Sequence, residues 1–321
     1  MCLYPRLIKN RKYVKNKKNG GNVPTPTDRR ALYVPVGCGK CMECKAQKAR
    51  QWQVRLHEEI RENKNGQFVT LSFSNEALEE LEGSISGLTG YNLDNEVATL
   101  ATRRFLERWR KKYKKSCRHW FVTELGQVNT ERIHIHGLMF TNESKDTIAK
   151  IWKYGNVYIG DYVNEKTINY IVKYINKVDE KHKEFNAKVL TSPGIGAGYT
   201  KRKDAENNRY EAGKTNESYR TRNGIKLNLP IYYRNKIYTE DEREALWMEK
   251  LDKEERWVNG VKVDVSEGDE EYYQMLYEAR KKNKRLGFGD NEIDWEKRRY
   301  ENNKRDMLRR ERGKNLGKRN K

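Results

Sequence analysis

The chain has 321 residues and carries 67 lysines and arginines against 46 aspartates and glutamates, a formal charge of +21 and a pI near 9.6. Solubility of a small domain asks for a net charge of only about 2 to 8, so this excess points to a polyanionic partner, most simply nucleic acid. A membrane surface is the other candidate, but the chain has neither a long apolar run nor an amphipathic helix hydrophobic enough to insert.

In chain order, residues 1–36 are basic and Asn/Gly/Pro-rich, with no apolar stretch of the kind a signal peptide needs. The five cysteines, Cys2, Cys38, Cys41, Cys44 and Cys117, are odd in number and three are tightly spaced. That argues against a secreted disulfide framework and for a cytosolic chain with reduced thiols. Ala49, Trp52, Leu56 and Ile60 then recur at helical spacing, which predicts an amphipathic helix beginning near Cys41. QFVTLSF (67–73) reads as a strand. A loose Gly/Ser segment, 83–95, leads to a second helix on which Phe105, Trp109 and Tyr113 share one face. HWFVTEL (119–125), the polar loop GQVNTE and IHIHGLMF predict a β-hairpin. TINYIVKYINKV (167–178) reads as a helix, with a strand as the alternative because of its β-branched residues. These elements predict an α+β chain in four segments: a basic N-terminal segment with the cysteines and a helix (1–66), a core (67–185), a flexible loop (186–239) and a charged helical tail (240–321).

Alternate residues of a strand share a face, so His134 and His136 point side by side while Ile133 and Ile135 face the core. Two imidazoles so placed can grip a divalent cation. Glu124, brought alongside by the hairpin, is the candidate third ligand, and Glu131 is its competitor. Such a set with open positions suits Mg²⁺ or Mn²⁺ on a phosphate substrate. The plain alternative is two surface histidines on a half-exposed strand. In YIVKYINK (170–177), Tyr170 and Tyr174 are one helical step apart, and Lys173 and Lys177 each follow a tyrosine by three. A phenol with a free pKa of about 10 becomes a useful nucleophile beside a cation, or when the group it attacks is polarised. Two aromatics at this step more often pack in a core.

Taken in order, the strand QFVTLSF, the strand HIHGLMF and the helix YxxKYxxK resemble the three motifs of the HUH endonucleases that initiate rolling-circle replication. The two-tyrosine form resembles the replication initiators of single-stranded DNA microviruses, and MCLYP, VGCGKCMECKAQKARQW, PGIGAGY and LPIYYRNKIY are similar to features of their gokushovirus-like branch. The likeness spans roughly residues 1 to 240. It implies a ferredoxin-like α+β nuclease core whose histidine strand lies near the centre of an antiparallel sheet. It also implies His134 and His136 as metal ligands, Tyr170 and Tyr174 as nucleophiles, and Lys173 and Lys177 as their helpers. The implied reaction is nicking of a single-stranded viral origin, with a 5′-phosphotyrosine and a free 3′-OH as products. The implied setting is the cytoplasm of a bacterial host, with host helicase and DNA polymerase as partners. Relaxases carry a third histidine where Phe140 stands here, which weighs against that branch. No GxxxxGK[ST] loop is present: AGKT (212–215) lacks the upstream glycine, and no Lys-Ser/Thr follows GIGAG (194–198), so a separate helicase is needed. Two rivals stay open, a two-tyrosine transposase and a non-catalytic single-strand-binding protein.

Cys38-x2-Cys41-x2-Cys44 is one thiolate short of a closed zinc site. Cys2 is the first choice for the fourth ligand and Cys117 the alternative, and a structural Zn²⁺ there would tie the basic N-terminus to the helix. Unligated thiols are the plain reading. Arg103, Arg104, Arg108, Arg110, Lys111 and Lys112 crowd the second helix, where basic residues can meet DNA phosphates. The basic run at 297–321 is expected to add a sequence-independent contact.

Overall fold

A computed structural model describes residues 1–126, 131–160, 162–179 and 181–289, together with Asn302, Arg305, Asp306 and Arg309. The turn at 127–130 and the basic run at 297–321, apart from those last four residues, lie outside the described part. The N-terminal segment forms a small ladder of β1 (Arg6–Lys9) against β2 (Tyr33–Val36) and leads into α1 (Met42–Glu62). Then follow β3 (Gly66–Leu71), α2 (Asn75–Gly83), α3 (Gly90–Tyr113), β4 (Arg118–Leu125) and β5 (Ile133–Phe140). After these come α4 (Lys145–Trp152), β6 (Val157–Ile159), α5 (Glu165–Ile171), α6 (Lys173–Asn176) and β7 (Val189–Thr191). The rest comprises the β8 (Ser218–Arg220) and β9 (Lys226–Asn228) ladder, α7 (Ile231–Ile237), α8 (Glu240–Asp252), the β10 (Glu255–Val258) and β11 (Val261–Asp264) hairpin and α9 (Glu270–Arg285).

The architecture is α+β around a five-stranded antiparallel sheet of order β6-β3-β5-β4-β7, with the histidine strand at its centre. Strand alternation decides its two faces. Val69, Leu71, Phe121, Leu125, Ile133 and Ile135 point one way into a core shared with Phe105 and Trp109 of α3 and Trp152 of α4. The opposite face carries Phe68, Thr70, Glu124, His134 and His136, by the same period of two. Gly137 sits at the centre of the sheet because a Cβ there would collide with the Trp120 carbonyl oxygen and lie 2.8 Å from the Phe121 Cα.

Three local expectations are corrected. The Gly/Ser stretch at 83–95 is half helix, since α3 begins at Gly90, whose φ of +58° suits a glycine. NEALEELEG, unassigned from the sequence, forms α2, with Ser74 accepting from the Ala77 N–H at its N-terminus and Leu78 and Leu81 buried. The 167–178 segment is helical but divides into α5 and the single turn α6 around Val172.

The chain divides into two compact units. One joins Met1–Gln51 to the described residues from Tyr199 to Gly289. The other joins Trp52–Gly198, which holds the sheet, to Asn302, Arg305, Asp306 and Arg309. In the first unit Leu3 and Cys41 pack with Val258, Leu276 and Ala279 in a small apolar cluster. Among the described residues no helix is long and apolar enough to cross a membrane.

Candidate active site

The site is built on three adjacent strands. The register sets Thr70 of β3 and Val122 of β4 on either side of His136, and Glu124 of β4 opposite His134. The Glu124 side chain reaches the diagonal histidine: its Oε2 lies 2.8 Å from His136 Nε2. Its other oxygen, Oε1, accepts a 2.5 Å hydrogen bond from Lys177 Nζ. The second ring nitrogen of His136, Nδ1, is 3.0 Å from the Thr70 hydroxyl, so the ring is held at both nitrogens. His134 lies beside it, with ring centres 6.5 Å apart. Glu131 is turned elsewhere, with φ +47° and Oε2 3.1 Å from His182 Nε2.

The α5 helix starts at Asn164, whose side chain caps the Lys166 and Thr167 N–H groups while the Thr167 hydroxyl accepts from the Asn164 N–H. Ile168, Ile171 and Ile175 are buried, which turns Tyr170 and Tyr174 toward the histidine face. The break at Val172 keeps helical dihedrals, so the i, i+4 pairing survives it. Tyr174 stacks on His136 with ring centres 4.5 Å apart and planes 4° off parallel. The Tyr170 and Tyr174 hydroxyls are 2.8 Å apart, and Tyr170 is half exposed. Phe68 meets the Tyr170 ring edge-on at 6.2 Å. An open groove of about 330 Å³ beside Tyr170 is lined by Phe68, Gly160, Tyr162, Asn164, Lys166 and Thr167. Lys177 contacts the Tyr174 ring face as well as Glu124, whereas Lys173 is exposed.

The electrostatics follow from this packing. Burial pulls the Glu124 carboxyl upward, but hydrogen bonds from His136 and Lys177 outweigh it and leave the group below the usual carboxylate range. Burial holds His134 below the ordinary imidazole value, in the neutral form that a metal ligand must have. Burial, the Tyr170 hydrogen bond and the Glu124 charge push the Tyr174 phenol up. A neutral imidazole, an imidazole oriented through its far nitrogen and an anionic carboxylate fit the requirements of a divalent-cation site. The three ligand atoms are not as tightly gathered as those of the cysteines, the one group of three or more His, Cys, Asp or Glu among the described residues whose donor atoms all lie within 4.8 Å.

Those four are Cys2, Cys38, Cys41 and Cys44, a set that can hold a metal ion such as zinc. Cys117 is not among them: it is buried in the core of the sheet unit, and burial raises its thiol to about 12. On α3, Phe105 and Trp109 are core. Arg103, Arg110, Lys111 and Lys112 are exposed, and Arg104 pairs with Glu80 at 3.2 Å. The Arg108 guanidinium is committed to the end of α4, donating to the Ile151 and Trp152 carbonyls at 2.7 Å each.

Sequence reasoning missed Thr70 and Phe68 as parts of the site. Both lie on the same face of QFVTLSF by strand alternation, but only strand pairing shows that this face borders the histidines.

No curated protein and no solved structure matches the chain. Residues 67–179 match a family model of replication-associated proteins, the ORF2 family. That stretch runs from β3 to just past Lys177 and contains the histidine pair, Glu124 and both tyrosines, and the match supports a replication initiation protein of this type.

Proposed function

We propose that this chain is a rolling-circle replication initiator that nicks single-stranded origin DNA by tyrosine transesterification. The observation that carries this reading is the meeting of two tyrosine hydroxyls, 2.8 Å apart, on a helix whose Tyr174 stacks on His136, itself bound to Glu124. Two interchangeable nucleophiles beside a His/His/carboxylate set are what a two-step strand transfer needs, and a core packing role leaves Tyr170 half exposed for no reason.

His134, His136 and Glu124 would hold Mg²⁺ or Mn²⁺, which when bound supplies Lewis-acid polarisation of the scissile phosphate. The protein's own residues do the rest. Thr70 fixes the His136 ring through Nδ1 and leaves Nε2 toward the site. The half-exposed Tyr170 is the more accessible nucleophile, and Tyr174 holds its hydroxyl against it. The attacking phenol oxygen forms the new P–O bond as the bond to the 3′ oxygen breaks. The phenolic proton ends on that oxygen, which leaves a 5′-phosphotyrosine and a 3′-OH. The phosphodiester energy is retained in the link, so no nucleotide cofactor is required. The second tyrosine is then in place to cut the regenerated origin. Lys177 and the exposed Arg103, Lys111 and Lys112 supply cations for phosphates. A host polymerase would extend the 3′-OH, and a separate helicase would open the duplex.

The test is covalent capture. A labelled single-stranded origin oligonucleotide is incubated with Mn²⁺ or Mg²⁺ and run on a denaturing protein gel. Label should travel with the wild-type protein and with at least one of Tyr170→Phe and Tyr174→Phe. It should be absent from the double mutant and from His134→Ala/His136→Ala. Binding without cleavage or capture on an origin strand, with metal present, would replace this reading with that of a single-strand-binding protein.

A further inference from the structure

The four cysteines are not used by the proposed nicking chemistry, and their arrangement has a chemistry of its own. They come from two distant stretches. Cys38 and Cys41 flank a tight turn in which Gly39 has φ +78°, Cys44 lies in the first turn of α1, and Cys2 arrives from the start of the chain. All four sulfurs lie within 4.8 Å of one another. The Cys2–Cys41 sulfur separation is 3.9 Å and the Cys38–Cys44 separation 4.0 Å. A tetrahedron with Zn–S bonds of about 2.3 Å has edges of about 3.8 Å, whereas a disulfide needs about 2.05 Å. The spacing is that of a tetrathiolate cage.

The surrounding backbone is arranged for thiolates. Cys2 Sγ accepts from the Tyr4 N–H at 3.3 Å and the Cys38 N–H at 3.2 Å. Cys38 Sγ accepts from the Lys40 N–H at 3.4 Å and the Cys41 N–H at 3.3 Å. Backbone donors around a ligating sulfur are the supporting shell that orients it and tunes its charge. The positive end of the long α1 helix faces the same sulfurs. Gly37 leaves the necessary room, since a Cβ there would stand 2.9 Å from Cys44 Sγ. Leu3, Val258, Leu276 and Ala279 wrap the cage in apolar side chains. Asn283 of α9 accepts the Met42 N–H at 2.8 Å and Arg280 donates to the Leu3 carbonyl at 2.9 Å, so both strands of the cage are tied to α9.

The geometry points to a closed Zn²⁺ site formed by Cys2, Cys38, Cys41 and Cys44, structural and not catalytic, which fastens the start of the chain to the first turn of α1. Four protein thiolates leave no position for water or substrate. The ion therefore acts on the folding of its own unit, because binding free energy at a site absent from the unfolded chain is folding free energy.

The test uses the full chain purified without chelators and does not depend on nicking activity. Elemental analysis should find one zinc per chain in wild type and in Cys117→Ala. Replacement by Co²⁺ should give the visible bands of tetrahedral cobalt together with an intense near-ultraviolet sulfur-to-cobalt charge-transfer band. Cys2→Ala and Cys44→Ala should weaken zinc binding by more than the roughly tenfold to hundredfold that loss of a supporting group costs. Should those variants fail to fold, stripped wild type is titrated with zinc sulfate, and its thermal unfolding midpoint should rise with zinc concentration. A wild-type chain that purifies without zinc, shows no sulfur-to-cobalt band and keeps its midpoint on zinc addition would overturn the proposal. So would a folded Cys44→Ala that binds zinc as wild type does.

Discussion

At the scale of single residues, the site depends on how one imidazole is held. His136 has Glu124 at Nε2 and Thr70 at Nδ1, so the hydroxyl determines which nitrogen faces the site. Thr70→Val keeps the side-chain shape and the β-branched preference for a strand but removes that partner. The expected outcome is a loss of about tenfold to hundredfold in metal-dependent nicking, the range seen for groups that orient a ligand. The thermal midpoint should change little, because Thr70 is only half buried. Metal titration of the nicking rate separates the cases: a raised metal requirement supports the orienting role, and an unchanged one removes it. Glu124 and Glu131 show how much placement matters at this scale. Both are carboxylates near the hairpin, but β4 turns Glu124 to the histidines while the positive φ of Glu131 swings it to His182.

At the scale of elements, the sheet unit is pinned by a buried ion pair that lies away from the chemistry. Glu59 of α1 is fully buried and accepts from the Arg118 guanidinium of β4, while its Oε2 also takes the Gly196 N–H at 2.7 Å. Arg118 donates in turn to the Gly194 carbonyl at 2.9 Å. One carboxylate thus joins a helix, a strand and the PGIGAGY segment. Removing one partner of a buried pair costs about 3–5 kcal/mol. Arg118 keeps some contact with water, so Glu59→Ala should fall near the lower end, about 3 kcal/mol, measured by urea unfolding of the full chain. A cost under about 1 kcal/mol would show that the three elements are held by packing alone. The tyrosine helix is held differently. Its capping box and buried isoleucines fix a short element in place, and the break at Val172 leaves the two hydroxyls in contact.

At the scale of the whole molecule, pH couples to stability through histidine burial. His57, His119, His134 and His182 are all shifted down, burial being the largest cause in each. In the unfolded chain a histidine takes up a proton near pH 6.5. The folded chain resists that proton until the pH reaches the depressed values. Below about pH 6.5 the unfolded state therefore binds more protons than the folded state, and stability falls as the pH drops toward the folded values. Above about pH 6.5 both states are neutral at these positions and the contribution is constant. The urea midpoint should thus be flat from pH 8 to 7 and decline from pH 6.5 to 5. The carboxylates with lowered values, such as Asp28 and Asp241, act only at lower pH. A flat midpoint down to pH 5 would mean that these histidines charge as freely when folded as when unfolded.

The sequence by itself determined the period of each strand, the pairing of the histidines on one face and the tyrosine step, because those depend only on backbone geometry and residue spacing. It also determined that β4 and β5 form a hairpin and that the chain needs a polyanionic partner, since turn chemistry and net charge are local or additive properties. Only the tertiary structure decided that Thr70 and Phe68 border the histidines, because β3 reaches β5 across some 65 residues of intervening chain. It alone separated Glu124 from Glu131 and Cys2 from Cys117, choices between residues of the same chemistry that differ only in where distant segments meet. Arg108 makes the same point. Its charge reads as a DNA contact, yet its guanidinium is used by the carbonyls at the end of α4, a partnership made by packing and not by spacing.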